Sequence, residues 1–122
     1  MKEKDLLLLL QDFVEETGMF NHIKIHYTKH RPYKISVIKN IIIKGINLGL
    51  LEIFKNNESN KEKYQILNKV DSISAVNDDI NWTRNIYEVV FIDTQKYLWI
   101  LFGNEVGNKQ TIPKEFREFI VD

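Results

Sequence analysis

The sequence contains no cysteine, only two prolines and only three histidines. Without cysteine the chain has no disulfide, no thiolate nucleophile and no cysteine-based zinc site, which suits a reducing compartment. The leucine run at residues 6–10 is far shorter than the roughly 20 apolar residues that a membrane span needs, and charged residues flank it. No signal-peptide cleavage region follows it. We therefore expect a cytoplasmic protein that does not enter a membrane.

Enzyme motifs are also missing. No serine lies in a nucleophile elbow, and the segment GNEVGN at residues 103–108 lacks the Lys and Ser/Thr of a phosphate-binding loop. The first enzymatic alternative uses His26 as a general base with Asp78 or Glu105, but no motif supports it. We predict a protein without catalytic activity, metal or cofactor.

Length and composition predict one globular domain over residues 1–122. The chain is long enough to bury a core, with 43% hydrophobic and 28% charged residues and a net charge of zero. Its charge is unevenly distributed, because residues 1–20 carry a net −3 and residues 21–55 a net +6. This asymmetry indicates either an acidic partner or the solvation of otherwise apolar strands.

The hydrophobic pattern begins as a helix. Leu6, Leu10 and Phe13 share one face of an amphipathic helix over residues 3–17, with Asp5 as the expected N-cap and Gly18 as the expected C′ residue.

Beyond residue 20 the pattern predicts strands. Alternation over residues 20–28 predicts the first, Ile- and Val-rich residues 35–44 the second, and residues 46–54 the third, with glycines marking bends. One or two short strands are expected within residues 63–76. Strands at 86–92 and 97–102 are expected to form a hairpin around the turn at 93–96. Polar loops are expected at 56–62, 77–84 and 103–111.

A short closing helix is expected after Pro113, with Phe116, Phe119 and Ile120 on its buried face. Because no helical crossover separates the strands, they should pair antiparallel. We expect an α+β fold with a strongly twisted antiparallel sheet of about six strands, or a small barrel, packed by an N-terminal helix.

The segment HIKIHYTKHRPYK, residues 22–34, contains all three histidines. On a strand, His22, His26 and His30 would face the same side but lie about 13 Å apart. Zinc ligands must each lie about 2.1 Å from the metal, so a strand excludes a shared ion, whereas a helix with the same spacing would allow one.

The same segment has four fixed positive charges and no acid. We name residues 24–34 the basic strip and predict that they bind a partner with an acidic surface. Trp82 is a second anchor candidate, because an exposed indole is unusual in a polar loop; the alternative is that it covers the core, where Trp99 is also expected. The predicted partner-binding residues are Lys24, His26, Lys29, His30, Arg31, Tyr33, Lys34 and Trp82.

The favoured function is a small interaction protein that inhibits another macromolecule, such as an immunity or anti-defence protein. Lysine outnumbers arginine fourteen to three, which indicates an AT-rich bacterial or phage genome. The alternative is a nucleic-acid-binding regulator, in which the basic strip contacts phosphates and Tyr33 stacks on bases. The third option is a self-assembling subunit, in which apolar strands pair across a sheet edge; homo-oligomers are therefore among the expected partners.

Overall fold

The computed structural model describes residues 1–56, 64–102 and 112–121. It has an α+β fold, as predicted, but the described residues form many short helices around a small sheet. The α-helices are α1 (Glu3–Val14), α2 (Phe20–Lys24), α3 (Ile35–Asn47), α4 (Lys69–Asn77), α5 (Thr94–Tyr97) and α6 (Trp99–Phe102). The strands are β1 (Leu51–Asn56), β2 (Tyr64–Ile66) and β3 (Tyr87–Phe91). A π-helical turn (Ile25–Lys29) and two 3₁₀ helices (Asp79–Thr83 and Lys114–Phe119) complete the described elements.

The sheet is smaller than predicted. Its order is β2-β1-β3 with antiparallel pairs, including Leu51 opposite Phe91 and Phe54 opposite Ile66. The predicted pairing direction is therefore confirmed. The predicted count of about six strands and the barrel are wrong, because most of the predicted strands are helical.

The N-terminal helix is confirmed, with its leucine face buried. Its ends differ from the prediction, since Lys2 is the N-cap and Asp5 is buried inside the first turn. Glu16, with φ of 61°, takes the left-handed position after the helix. Gly18 instead passes close to β3: its carbonyl accepts the Val89 N–H at 2.9 Å, and an added Cβ would lie 2.6 Å from the Val89 oxygen.

The predicted strands at 20–28 and 35–44 are helices. In α3 the buried residues are Ile38, Ile41, Ile42, Gly45 and Ile46, which are spaced three and four apart as on one helical face. Isoleucine favours strands only weakly, and packing of this face overrides that preference. The helix ends at Asn47 with Leu48 as its C-cap, and Gly49 follows with a φ of 72°, the left-handed conformation common after a helix.

The C-terminal half departs from the prediction in the same direction. Strands β2 and β3 lie within predicted strand segments, and β1 overlaps the strand predicted at 46–54. Residues 69–77, most of which were predicted as strand, are helical in α4. The predicted hairpin at 93–96 is wrong: Asp93 caps α5 through the Lys96 N–H at 3.1 Å, and the strand expected at 97–102 forms α6. The closing helix after Pro113 is a 3₁₀ helix that buries Phe116. The loop expected at 103–111 and residues 57–62 lie outside the described residues.

Helix packing positions the basic strip over the core. The helix α1 packs on β3 and α6, α3 packs on α4 and β1, and α2 packs on the 3₁₀ helix at Asp79–Thr83. The basic strip therefore begins on a helical segment whose other face is buried, and not on the edge of a strand.

Candidate functional site

The basic strip lies on one helical segment and the turn that follows it. The five residues of α2 continue directly into the π-helical turn, where the His30 N–H donates to the Ile25 carbonyl at 3.2 Å. Phe20, Ile23 and Tyr27 are buried at spacings of three and four and hold this segment against the core. π-Helical turns are rare and occur frequently at functional sites. The π-helical turn thus lies within the basic strip that the sequence predicts as the binding surface.

Trp82 packs against the buried face of this helical segment. Its ring stacks on Phe20, with centroids 4.2 Å apart and planes 10° apart, and its indole N–H donates to the Val76 carbonyl at 2.8 Å. The side chain is 1% exposed. Trp99, which the sequence places in the core, is 41% exposed. Trp82 therefore lies apart from the exposed residues of the strip and offers almost no surface to a partner.

Tyr27 ties the π-helical turn to α1. Its hydroxyl donates to Asp12 Oδ2 at 3.2 Å, and Thr17 Oγ1 donates to Asp12 Oδ1 at 3.0 Å. Burial raises the pKa of Asp12, although these two hydrogen bonds oppose the shift. Burial, together with the Asp12 charge, also raises the pKa of Tyr27 strongly, so the phenol remains protonated as a donor.

Arg31 and Tyr33 converge on a second acid of α1. Arg31 Nε lies 3.1 Å from Asp5 Oδ1, while the Tyr33 hydroxyl donates to Asp5 Oδ2 and accepts the Lys2 N–H at 3.1 Å. The Arg31 Nε–H is not aligned for a hydrogen bond, so its contact with Asp5 is mainly ionic. Burial and the bond to Asp5 raise the pKa of Tyr33. These two predicted partner-binding residues anchor the strip internally.

The remaining lysines of the strip face solvent. Lys29 and Lys34 are exposed and Lys24 is half-buried. Among the described residues none of the three forms an ion pair, whereas Lys39 pairs with Asp79 and Lys44 pairs with Glu118. The pKa of Asp79 is lowered mainly by the hydrogen bond and charge of Lys39, with a smaller effect from Lys24. The outer positive charge is thus concentrated on Lys29 and Lys34.

The histidines have distinct environments. His22 and His30 are exposed, while His26 is half-buried. The His26 and Tyr27 rings pack edge to face, with their centroids 4.8 Å apart. The rings of His22 and His26 lie parallel within 1°, with centroids 6.3 Å apart. Burial, followed by the nearby Arg31 charge, lowers the pKa of His26, and Asp12 partly opposes this. His26 therefore contributes little positive charge at neutral pH. The acid whose charge affects its pKa is Asp12, and not Asp78, which the enzymatic alternative paired with it.

The acids Asp5 and Asp12 were missed as site residues by sequence reasoning. A signal for them exists in the acidic excess of residues 1–20, which complements the basic excess of residues 21–55. The contact between Arg31 and Asp5 thus neutralises part of this charge asymmetry within the chain.

A polar groove forms a separate candidate site. Its volume is about 340 Å³, and it lies between β1, β2 and α4. Lys55, Asp71 and Asp78 bring both signs of charge to its wall. Asp78 already accepts the Ile80 N–H at 3.3 Å, which occupies part of its hydrogen-bonding capacity. We find less to support a function there than at the strip.

Comparisons with known proteins identify no relative. The chain matches no family model, no curated protein and no solved structure. In the part of the chain that the structure describes, no helix has the length and apolar character needed to cross a membrane.

Proposed function

We propose that this chain is a non-enzymatic binding protein that docks the basic strip on an acidic surface of another protein. The observation that carries the proposal is the set of strip lysines, Lys24, Lys29 and Lys34, which form no ion pair among the described residues. Fixed charges without internal partners favour association with a surface of opposite charge. An inhibitor of a bacterial or phage target, such as an immunity or anti-defence protein, is the class of function that we favour.

The frame beneath these lysines supports the proposal. Asp5 holds Arg31 and Tyr33, and Asp12 holds Tyr27, so the backbone of the strip is attached to α1 at two points. A preorganised surface loses less conformational entropy when it binds. The internal contacts of the strip therefore favour binding by the side chains that remain outside.

The tyrosines favour a protein partner over single-stranded nucleic acid. Stacking on bases needs an accessible aromatic face. Tyr27 is fully buried, and the half-buried Tyr33 is hydrogen-bonded to Asp5 and Lys2. The lysines of the strip thus remain compatible with the nucleic-acid alternative, because they can contact phosphates. The strip offers little aromatic surface on which bases could stack.

The test is affinity capture from cells of the source organism with two charge-reversal variants. Lys29→Glu/Lys34→Glu reverses the exposed end of the strip, and Lys69→Glu/Lys114→Glu reverses two exposed lysines elsewhere. We expect a nuclease-resistant protein that binds the wild type and the control but not the strip variant. With the purified partner, the strip variant should associate about tenfold more slowly or worse.

Two outcomes would count against the proposal. Equal capture by both variants would remove the strip from the interaction. Capture of nucleic acid alone, with a log affinity that falls with log salt at a slope of about −3 to −4, would favour the regulator.

Self-assembly is a second candidate because β2 forms an edge of the sheet. Its residues Tyr64 and Ile66 are 57% and 58% exposed, whereas the outer side of β3 bonds to Gly18. An exposed apolar edge strand can pair with another copy. Sedimentation over a wide range of concentration tests this, and a mass that stays monomeric throughout would exclude it.

A further inference from the structure

His22 and His26 lie four residues apart on one continuous helical segment. They share a face across the junction between α2 and the π-helical turn, and their parallel rings have centroids 6.3 Å apart. The sequence argument against a shared metal ion depended on a strand, in which these side chains would be about 13 Å apart. The helix removes that objection.

Two imidazoles at this spacing can bind one metal ion. Histidines at positions i and i+4 of a helix are a recurring ligand pair for zinc. With metal–nitrogen bonds of about 2.1 Å and a tetrahedral angle, the ring centroids would lie about 5 Å apart. The rings would have to approach by about 1 Å and turn out of their parallel arrangement, because a metal ion lies in the plane of each imidazole that binds it. Both side chains have room to turn, since His22 is exposed and His26 is half-buried.

Asp12 completes the surroundings of the pair. Its carboxylate is held by Thr17 and Tyr27, and its charge acts on both histidines. A carboxylate near ligating imidazoles offsets part of the metal charge. Arg31 is also near His26, but its charge is paired with Asp5.

We propose that His22 and His26 form an open site for a divalent transition-metal ion, with the negative charge of Asp12 nearby. Imidazole nitrogen suits Zn²⁺, Ni²⁺ and Cu²⁺, and Cu²⁺ should bind most tightly of the three. Among the described residues no three or more His, Cys, Asp or Glu side chains group to hold an ion. The site therefore has two protein ligands, and its other positions remain available to water or to a ligand from another molecule. This inference does not rest on the proposed function.

His30 provides the matched control. It is also four residues from His26, but it follows the π-helical turn, in which hydrogen bonds link residues five apart. The ring of His22 stacks with that of His26, whereas the ring of His30 does not.

The experiment titrates Cu²⁺, Ni²⁺ and Zn²⁺ separately into the untagged protein, followed by calorimetry and by the histidine ring signals in NMR spectra. We expect one ion per chain. His22→Ala and His26→Ala should each weaken binding about tenfold or more, while His30→Ala should leave it unchanged. The fold of each variant is checked by its backbone amide spectrum.

Two results would overturn the assignment. One is the absence of saturable binding of any of the three ions to the wild type. The other is a loss in His30→Ala as large as that in His22→Ala, with the backbone spectrum preserved. Neither result bears on the strip lysines, so the partner-capture experiment remains an independent test of the proposed function.

Discussion

Arg31 Nε lies 3.1 Å from Asp5 Oδ1 and thereby joins the end of the basic strip to the first turn of α1. The Asp5 side chain is 7% exposed and that of Arg31 is 27% exposed, so the pair is largely withdrawn from water. Removing one member of such a pair leaves a poorly solvated charge, which costs more than the intact pair contributes. The contact makes the conformation of the strip depend on a residue far from it in sequence.

The first prediction concerns Asp5. Asp5→Ala leaves Arg31 without its anion and the Tyr33 hydroxyl without its acceptor. We expect the free energy of unfolding to fall by about 2–4 kcal/mol, since Arg31 retains some contact with water. Urea denaturation measures this, with Glu15→Ala at an exposed position as the control. A loss no larger than that of the control would contradict the role assigned to the pair.

The second prediction concerns Gly18. A Cβ at this position would lie 2.6 Å from the Val89 carbonyl oxygen and 3.1 Å from Phe13 Cδ1. Because one of these atoms belongs to the backbone, Gly18→Ala should move the chain away from β3 and cost about 1–3 kcal/mol. At Gly49 no atom lies within 4 Å, and asparagine tolerates its positive φ. Gly49→Asn should therefore cost less than Gly18→Ala in the same denaturation experiment, and the reverse order would contradict the close approach.

The third prediction concerns the pH dependence of stability through Glu88. Burial raises the pKa of Glu88, and the nearby Glu16 charge adds to this. The folded chain therefore holds this proton more tightly than the unfolded chain, whose glutamate has a pKa of about 4.3. The stabilising effect of protonated Glu88 is present below that pKa and is lost as the pH rises through the higher pKa of the folded state.

Glu88→Gln removes this titration. We expect the variant to gain stability relative to wild type as the pH rises from 4 to 7, as measured by urea denaturation at each pH. Glu15→Gln, at an exposed position, should not show the trend. A difference between Glu88→Gln and wild type that is independent of pH would exclude the predicted effect of burial.

The fourth prediction distinguishes the two tryptophans by fluorescence. Trp99→Phe leaves only the buried Trp82, which should emit at shorter wavelength and resist quenching by acrylamide. Trp82→Phe leaves the 41% exposed Trp99, which should be quenched readily. Trp82→Phe also loses the indole hydrogen bond to Val76 and should cost about 1–3 kcal/mol of stability. Equal quenching of the two variants would contradict the packing of Trp82 on Phe20.

The sequence predicted the fold best where periodicity and propensity agreed. The leucines of α1 and the segment around β3 satisfy both criteria, and both elements were located correctly. In α3 the two criteria conflict, because isoleucine is typical of strands while the spacing of Ile38, Ile41 and Ile42 is helical. Giving more weight to spacing would have identified this helix.

The same conflict affected the candidate site. The alternation of Ile23, Ile25 and Tyr27 predicts a strand, but the buried residues are Phe20, Ile23 and Tyr27, at helical spacing. The basic character of the segment was evident from its composition. Its internal anchors were not, because the contact of Arg31 with Asp5 depends on how two distant helices pack.

The π-helical turn at Ile25–Lys29 has a consequence for the direction in which the strip faces. Such a turn accommodates one residue more than an α-helical turn. Deleting one residue from it would leave an α-helical turn that completes the same rotation about the helix axis with one residue fewer. A deletion within α2 would instead rotate everything after it by about 100°, the advance of one α-helical residue. The direction in which Lys29 and Lys34 face the solvent is thus tolerant of a deletion inside the π-helical turn and sensitive to one in the α-helix before it, where the surface would be redirected without a change in its charge.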